Sequence, residues 1–406
     1  MPWYEASVVT GLEKLAGQEV REKLDVQANQ LEVGRGRLFF NTDLPVQQVL
    51  QLRSIDNLRA VVYRNESEKN FPESKDELNE FCLRLIKAGD WNTAIDIWRT
   101  VFDYNRCSVH DILSQDDHLN KPTFRANCKR SGTHKFGGSP EATIEFGGCL
   151  NNHFKWPVNL KEFDLEVILN LLDKHVYVTV SLSRTSLGHN RNLINFGKGS
   201  IRSTICYGIL KLADLREGMV VCDPLCGSSA LLIEACISWP QCIYISSDRD
   251  LKALEKTLDN KSITLKHFNE SSSSESNSQP RKPSNVDRNQ QNLYNKLDII
   301  QLDSTNLPYI NDSIDRFVTD LPFGKRFSTK AFNYHLYPKL LLEFARCTRL
   351  NVGRAILLTK DIKNMIGCLN NPQIKKFWTK IGINSINVGG LFASVYVLKR
   401  TNVAFE

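Results

Sequence analysis

Apolar positions along this chain recur in two rhythms, strict alternation over short runs and a spacing of three to four over longer ones, and each switch marks an element. Ser7–Thr10 predicts a short strand, Gly11 breaks it, and Leu12–Leu24 carries a helical pattern that includes Leu15 and Val20. Leu38–Phe40 predicts a strand, Val46–Leu52 a helix and Leu58–Tyr63 another strand. That order is the layout of a small α+β layer. A second set follows, with a helix over Asp76–Ala88, a strand near Pro122–Cys128, a helix over Pro140–Phe154, and strands at Leu165–Leu171 and Val176–Leu182.

From near His189 the rhythm changes to regular exchange of strand and helix. Strands are predicted at Met219–Cys222, Cys242–Ser246, Asp298–Leu302, Ile314–Thr319 and Arg354–Thr359. Helices are predicted at Ala230–Ser238, Leu251–Asn260 and Tyr337–Arg349. Such alternation is the signature of a doubly wound parallel sheet. The tail, Ile383–Val388, Gly389-Gly390 and Ala393–Leu398, predicts a closing hairpin or paired edge strands. The pattern therefore divides the chain into 1–75, 76–186 and 187–406.

One stretch breaks the pattern. Between Lys266 and Asn292 apolar residues thin out and Ser271–Ser274, Pro280 and Pro283 follow, a composition unable to bury enough surface to offset its ordering entropy. A disordered insertion is expected there. No run of 18 apolar residues occurs elsewhere, so no membrane-spanning helix is expected. Met1 to Gln18 carries Glu5, Glu13 and Lys14 without an apolar stretch, and no secretory signal is expected. The 11 cysteines are scattered and never spaced as CxxC, which argues for a reducing compartment and against a zinc ribbon or a disulfide framework. His110, His134, His153 and His175 lack ligand spacing with cysteines, so no metal is assigned. The net charge is +7, a mild excess that suits nucleic acid.

Chemistry concentrates at the predicted strand ends of the third unit. Val220–Cys222 runs into Asp223, Pro224, Leu225, Cys226 and Gly227, an apolar strand entering an acidic turn. Ligands of doubly wound sheets lie at the carboxyl ends of strands, and a glycine there admits close backbone approach. The GxGxxG pattern is absent, which argues against a dinucleotide. The next strands end in Asp248 and Asp303, acids of the kind that bind ribose hydroxyls. One such Asp could be a simple turn former, but three at consecutive strand ends point to a nucleoside-type cofactor. After the fourth strand stands Asp320-Leu321-Pro322-Phe323-Gly324-Lys325-Arg326. An exocyclic amine is a poor nucleophile because its lone pair is delocalised into the ring. Acceptors such as Asp320 and the Leu321 carbonyl would hold its hydrogens, and Phe323 could stack on an extruded base. Lys325 and Arg326 could neutralise phosphate. Two stretches are basic and free of acids. Asn120–Phe136 holds Lys121, Arg125, Lys129, Arg130 and Lys135, and Arg184–Arg202 holds Arg184, Arg191, Lys198 and Arg202. Both are expected to contact structured RNA, although a solvated basic face would look the same.

Together these residues resemble a class I S-adenosylmethionine-dependent methyltransferase of the amino-methylating kind. Longer spellings narrow the resemblance to the THUMP-domain tRNA guanine-N2 methyltransferases: Val8-Val9-Thr10-Gly11-Leu12-Glu13, Phe146-Gly147-Gly148, Phe154-Lys155-Trp156, Asn195-Phe196-Gly197 with Ile201–Thr204, Val318–Arg326, and Val388-Gly389-Gly390-Leu391. The resemblance implies an α/β protein. Its Rossmann-like class I methyltransferase domain (187–406) would follow an α+β ferredoxin-like domain (1–75) and a THUMP RNA-binding domain (76–186). It implies S-adenosyl-L-methionine held by Asp223, Gly227, Asp248, Asp303 and Arg202, and a guanine held by Asp320, Leu321, Pro322 and Phe323. It also implies a tRNA substrate, a small zinc-binding activator subunit, and a cytoplasmic location with a nuclear pool. The chain departs from the family where a pair ending in glycine is usual and Ser228-Ser229 stands instead. That departure keeps open a catalytically degenerate RNA-binding protein. The Asp320–Phe323 chemistry taken alone also allows an amino methyltransferase with another substrate.

Overall fold

Two seven-stranded sheets organise the chain. The computed structural model describes all residues except 117–119, 133, 189–190, 192, 194, 196–199, 274–296, 324–328, 389 and 406. It comprises one unit of residues 1–8 and 16–187 and a second of residues 9–15 and 188–406.

In the first unit the strands are β1 (Trp3–Val8), β2 (Leu31–Gly34), β3 (Arg37–Asn41), β4 (Ile55–Asn65), β5 (Phe124–Ser131), β6 (Leu165–Leu172) and β7 (His175–Ser181). Their order is β2-β3-β1-β4-β7-β6-β5. The long β4 pairs with β1 on one side and β7 on the other, so segments 1–75 and 76–186 share one continuous sheet. Leu58, Ala60 and Val62 alternate along β4 and are buried, as a strand with one covered face requires. The helices are α1 (Glu13–Leu24), α2 (Val46–Val49), α3 (Lys75–Ala88), α4 (Trp91–Phe102), α5 (Val109–Leu113) and α6 (Ser139–Phe154). The sequence reading omits α4 and α5. Yet α4 has buried Trp91, Ala94, Ile95 and Trp98 at helical spacing, and Asp90 caps it by accepting the Thr93 N–H. Phe154 and Trp156 stack at 4.4 Å inside the core and are packing residues, as their apolar neighbours suggest.

The second unit contains α7 (Ser203–Leu212), β8 (Val220–Asp223), α8 (Ala230–Ser238), β9 (Ile243–Asp248), α9 (Leu251–Ser273), β10 (Leu297–Gln301) and β11 (Arg316–Asp320). It continues with α10 (Lys330–Cys347), β12 (Arg354–Thr359), α11 (Ile362–Asn370), α12 (Pro372–Lys375), β13 (Trp378–Val388) and β14 (Leu391–Arg400). The sheet order is β10-β9-β8-β11-β12-β14-β13, parallel from β10 to β12 and antiparallel through the closing hairpin. Both faces are covered. Val221, Val318, Ile356 and Val395 join one core with α7 and α8, whereas Phe317, Ala355, Leu357 and Tyr396 join the other with α10. The chain winds outward from β8 to β10 and then returns to β11 on the other side of β8. That reversal opens a crevice at the carboxyl ends of β8 and β11. This is the Rossmann-like α/β fold expected from the strand–helix alternation.

The disordered insertion expected from Lys266 is corrected at its start, because α9 continues to Ser273. No glycine or proline interrupts the chain between Leu251 and Pro280, so nothing in the sequence stops the helix at residue 266. The rest of that expectation falls on 274–296, outside the described residues. The short segment 9–15 belongs to the second unit, where the Thr10 carbonyl accepts the Asn387 N–H at 3.1 Å. Gly11 has φ +99, and a Cβ there would lie 1.9 Å from the Ser385 carbonyl oxygen, so no other residue fits.

Candidate active site

The acidic turn and the end of β9 are stitched together. Gly227 N–H donates to Asp248 Oδ2 at 3.0 Å, and Cys226 N–H donates to the Ser247 carbonyl at 3.0 Å. Gly227 has φ +57, and a Cβ there would meet nothing within 4 Å, so the turn faces open space at the strand ends. Asp223 lies beneath it, buried, with Oδ1 accepting the Leu225 N–H at 3.2 Å. Burial pushes its carboxyl up to about 7, and the nearby Asp248 adds to the rise. The Asp248 carbonyl accepts the Leu302 N–H at 3.2 Å, which brings the end of β10 alongside. There Asp303 Oδ1 accepts the Thr305 N–H and hydroxyl at 2.8 and 2.7 Å, and these bonds hold its carboxyl below the usual range. Asp223, Gly227, Asp248 and Asp303 therefore line consecutive strand ends. Arg202 stands at the N-cap of α7, a helix packed on α8. Acids and an open glycine suit the hydroxyls and amines of an adenosyl group.

Ser229 departs from the family pattern and sits in the left-handed region at φ +59. Its side chain is buried, with Oγ 2.6 Å from Ser246 Oγ. The position thus asks for the conformation that glycine adopts freely, at about 1 kcal/mol of strain for serine.

The reacting motif leaves β11 beside this turn. Asp320 pairs in register with Leu358 of β12. Its Oδ1 is shut off from solvent and unpartnered among the described residues. Burial pushes this carboxyl well above the carboxylate range, Asp223 adds to the rise, and Lys360 opposes it. Leu321 N–H donates to the Leu358 carbonyl at 2.9 Å. The Pro322 carbonyl accepts from Asn333 Nδ2 and from the Tyr337 hydroxyl, each at 2.7 Å. The Tyr337 oxygen in turn lies 2.8 Å from Thr359 Oγ1. Phe323 is half-buried, and the Lys360 ammonium sits 4.9 Å from its ring centroid. Asn333, Tyr337, Thr359 and Lys360 escape sequence reasoning because helix α10 and strand β12 reach the motif only through the fold. Thr359-Lys360-Asp361 at the end of the next strand is the one signal that could have marked them.

The family described as UPF0020, the RMKL-like methyltransferase domain, matches residues 191–387. A THUMP3 tRNA (guanine(6)-N(2))-methyltransferase of Mus musculus is 31% identical over 98% of this chain and 89% of the relative. The chain belongs to the THUMP3 family of tRNA guanine-N2 methyltransferases. A U6 snRNA (guanine-N(2))-methyltransferase THUMPD2 of Homo sapiens is more distant, 25% identical over 78% of this chain and 71% of its own length. The crystal structure of TrmN from Thermus thermophilus shares the fold, with a TM-score of 0.73 at 21% identity, covering 98% of this chain and 100% of that one.

The basic residues of this THUMP3-family chain separate once placed. Lys121 is corrected as an RNA contact: it is 4% exposed, and its ammonium donates to the Ser114 and Phe154 carbonyls at 2.7 and 2.8 Å, a structural tie. Arg125 pairs with Glu166 at 2.7 Å and lies 4.0 Å above Phe163. Arg130 donates to the Gly137 carbonyl, and the exposed Lys135 pairs with Glu73 at 2.6 Å. A polar hollow of about 360 Å³ opens on the first unit and is lined by Asn57, Arg59, Asn127, Lys129, Ser183 and Arg184 among others. Partial burial and the neighbouring Arg59 lower the Lys129 ammonium. Arg59 pairs with the buried Glu5 through Nη1, and its Nε and Ser183 Oγ are without partners among the described residues, while Glu166 also lines the hollow. Arg59 escaped the sequence reading because it stands alone between apolar strand residues. Arg191 lies in the second unit, whereas Lys198, Lys325 and Arg326 fall outside the described residues. No helix of the described residues is long and apolar enough to cross a membrane.

Proposed function

We propose that this protein methylates the N2 of a guanine in tRNA. The observation that carries this reading is the sheltered Asp320 Oδ1, unpartnered among the described residues, at the reversal point of the sheet, one strand from the acidic turn. Asp223, Gly227, Asp248, Asp303 and Arg202 would hold S-adenosyl-L-methionine. When bound, that cofactor supplies an electrophilic methyl group on a sulfonium sulfur, which keeps the bonding pair as the methyl leaves. The chain's own residues do the rest. Asp320 and the Leu321 carbonyl accept hydrogens of the exocyclic amine, which frees its lone pair from the ring. Asp320 takes the proton that N2 sheds. Phe323 stacks on the base, and the two bonds to the Pro322 carbonyl keep the turn rigid.

The first unit supplies substrate binding in this reading, with residues 1–75 as a ferredoxin-like domain and 76–186 as a THUMP RNA-binding domain. Arg125, Lys129, Arg130 and Lys135 act there, and Arg191, Lys198, Lys325 and Arg326 add further phosphate contacts. A small zinc-binding activator subunit completes the enzyme as a heterodimer in the cytoplasm, with a nuclear pool. That partner rests on the family resemblance alone. Nucleoside mass spectrometry of tRNA incubated with the protein, coexpressed activator and labelled cofactor tests the reading. Labelled N2-methylguanosine is expected in tRNA and not in U6 snRNA. Label only in U6 snRNA, or on another base, contradicts it. The strained Ser229 favours a second reading, a degenerate methyltransferase fold that binds RNA only. Calorimetry with S-adenosylmethionine separates the two.

A further inference from the structure

The end of β12 is built against the reacting motif one residue at a time. The Leu358 carbonyl accepts the Leu321 N–H at 2.9 Å. Thr359 Oγ1 lies 2.8 Å from the Tyr337 oxygen, whose hydroxyl donates to the Pro322 carbonyl. Lys360 then places its ammonium 4.9 Å from the Phe323 ring centroid. Three consecutive residues of one strand end thus engage three consecutive residues of the motif, and the last engagement brings a full positive charge. We propose that Lys360 is a positioning residue for methyl transfer, which pins the Phe323 ring from one face and sets the charge around Asp320. The inference rests on the guanine-N2 reading and deepens it.

Two consequences follow from elementary electrostatics. An ammonium over an aromatic face is attracted by the ring quadrupole, so Lys360 holds Phe323 in place and leaves its other face for the base. The groups facing Asp320 are Asp223 on β8, Cys206 on α7, Tyr337 on α10 and Lys360 after β12. Asp361, next in the chain, faces Tyr337. Among these described residues Lys360 alone is a cation, and all the others are acids. Burial and Asp223 favour a protonated Asp320, and the field of Lys360 favours the ionised form. Only the ionised form can take a proton from the amine, so Lys360 widens the pH range in which the motif is competent.

The sign is definite. Removing an opposite charge raises a carboxyl pKa, so the acid limb of the rate profile moves to higher pH. The test is single-turnover methylation of tRNA by the full-length protein with its coexpressed activator from pH 6 to 10, with Lys360→Met, Lys360→Gln and Lys360→Arg beside the parent. For the Met and Gln variants the acid limb should move up by about one unit, with about a tenfold loss along that limb that is recovered at higher pH. Lys360→Arg keeps the charge and should stay within about threefold of the parent. Melting temperatures identify any variant that fails to fold, and two neutral substitutions guard against that outcome. An unmoved acid limb in a folded neutral variant overturns the proposal, whether its rate is normal or uniformly low. A parent that makes no N2-methylguanosine sinks the guanine-N2 reading instead, which keeps the two failures distinct.

Discussion

Asp223 and Asp320 show how one sheet edge can hold two carboxyls away from their ordinary behaviour. Asp223 is fully buried, and burial moves its carboxyl from 3.8 to about 7. The folded protein therefore binds that proton more tightly than the unfolded chain. The penalty is absent below about pH 3.8, grows as pH rises, and is complete above about pH 7. At about 1.4 kcal/mol per unit it reaches the order of 4 kcal/mol. Asp223→Asn should flatten the fall of melting temperature between pH 4 and 7 and raise stability at pH 7.5, because Asn Oδ1 can still accept the Leu225 N–H. An unchanged pH slope would show that Asp223 is not the group responsible. Ser229 makes a second case. Ser229→Gly relieves about 1 kcal/mol of backbone strain but strands the Ser246 hydroxyl, at a similar cost. Stability should stay within about 1 kcal/mol, and calorimetry should find affinity for S-adenosylmethionine equal or tighter. A tenfold weaker affinity would instead make the serine hydroxyl part of the cofactor site. Sequence alone exposed Asp223, Asp248, Asp303 and Asp320, because acids after apolar strands stand out. It hid Asn333 and Tyr337, whose inward face is decided by the packing of α10 on the motif.

Among the elements of the second unit, the parallel strands and α8 were legible because each is short, apolar and bounded by turn residues. The sequence reading omits α7, α11 and α12, and α10 begins at Lys330, before its expected start at Tyr337. Ala230–Ser238 and Arg354–Thr359 coincide with their predicted limits. Helix ends were less legible: α9 runs on into polar sequence because helix formation tolerates Lys, Glu and Ser until a breaker appears. The segment 9–15 could not be assigned from pattern at all, since its partner strand β13 lies more than 360 residues away. Its key is Gly11, whose positive φ and closeness to the Ser385 carbonyl leave no room for a methyl group. Gly11→Ala should lower stability by about 2 kcal/mol or more, read as an earlier transition in urea. A variant as stable as the parent would mean that this segment is free to leave its seat on β13.

For the whole molecule, the account separates binding from chemistry. The net charge of +7 is too small to name a substrate, and it is carried by the second unit, since the first has 22 Lys and Arg against 25 Asp and Glu. The methyl-transfer residues all stand on the second unit. The clustering of Arg59 with Lys129 was not legible in the sequence, because β4 and β5 meet only through β7 and β6. The separation leads to the most direct test, single-turnover methylation of tRNA by Asp320→Ala with coexpressed activator at saturating enzyme, alongside filter binding and calorimetry. The account predicts that turnover falls at least about 10²-fold, roughly 2.7 kcal/mol of transition-state stabilisation, while affinities for tRNA and S-adenosylmethionine stay within a few-fold of the parent. Near-normal turnover in Asp320→Ala, or equal losses in rate and in both affinities, would contradict it.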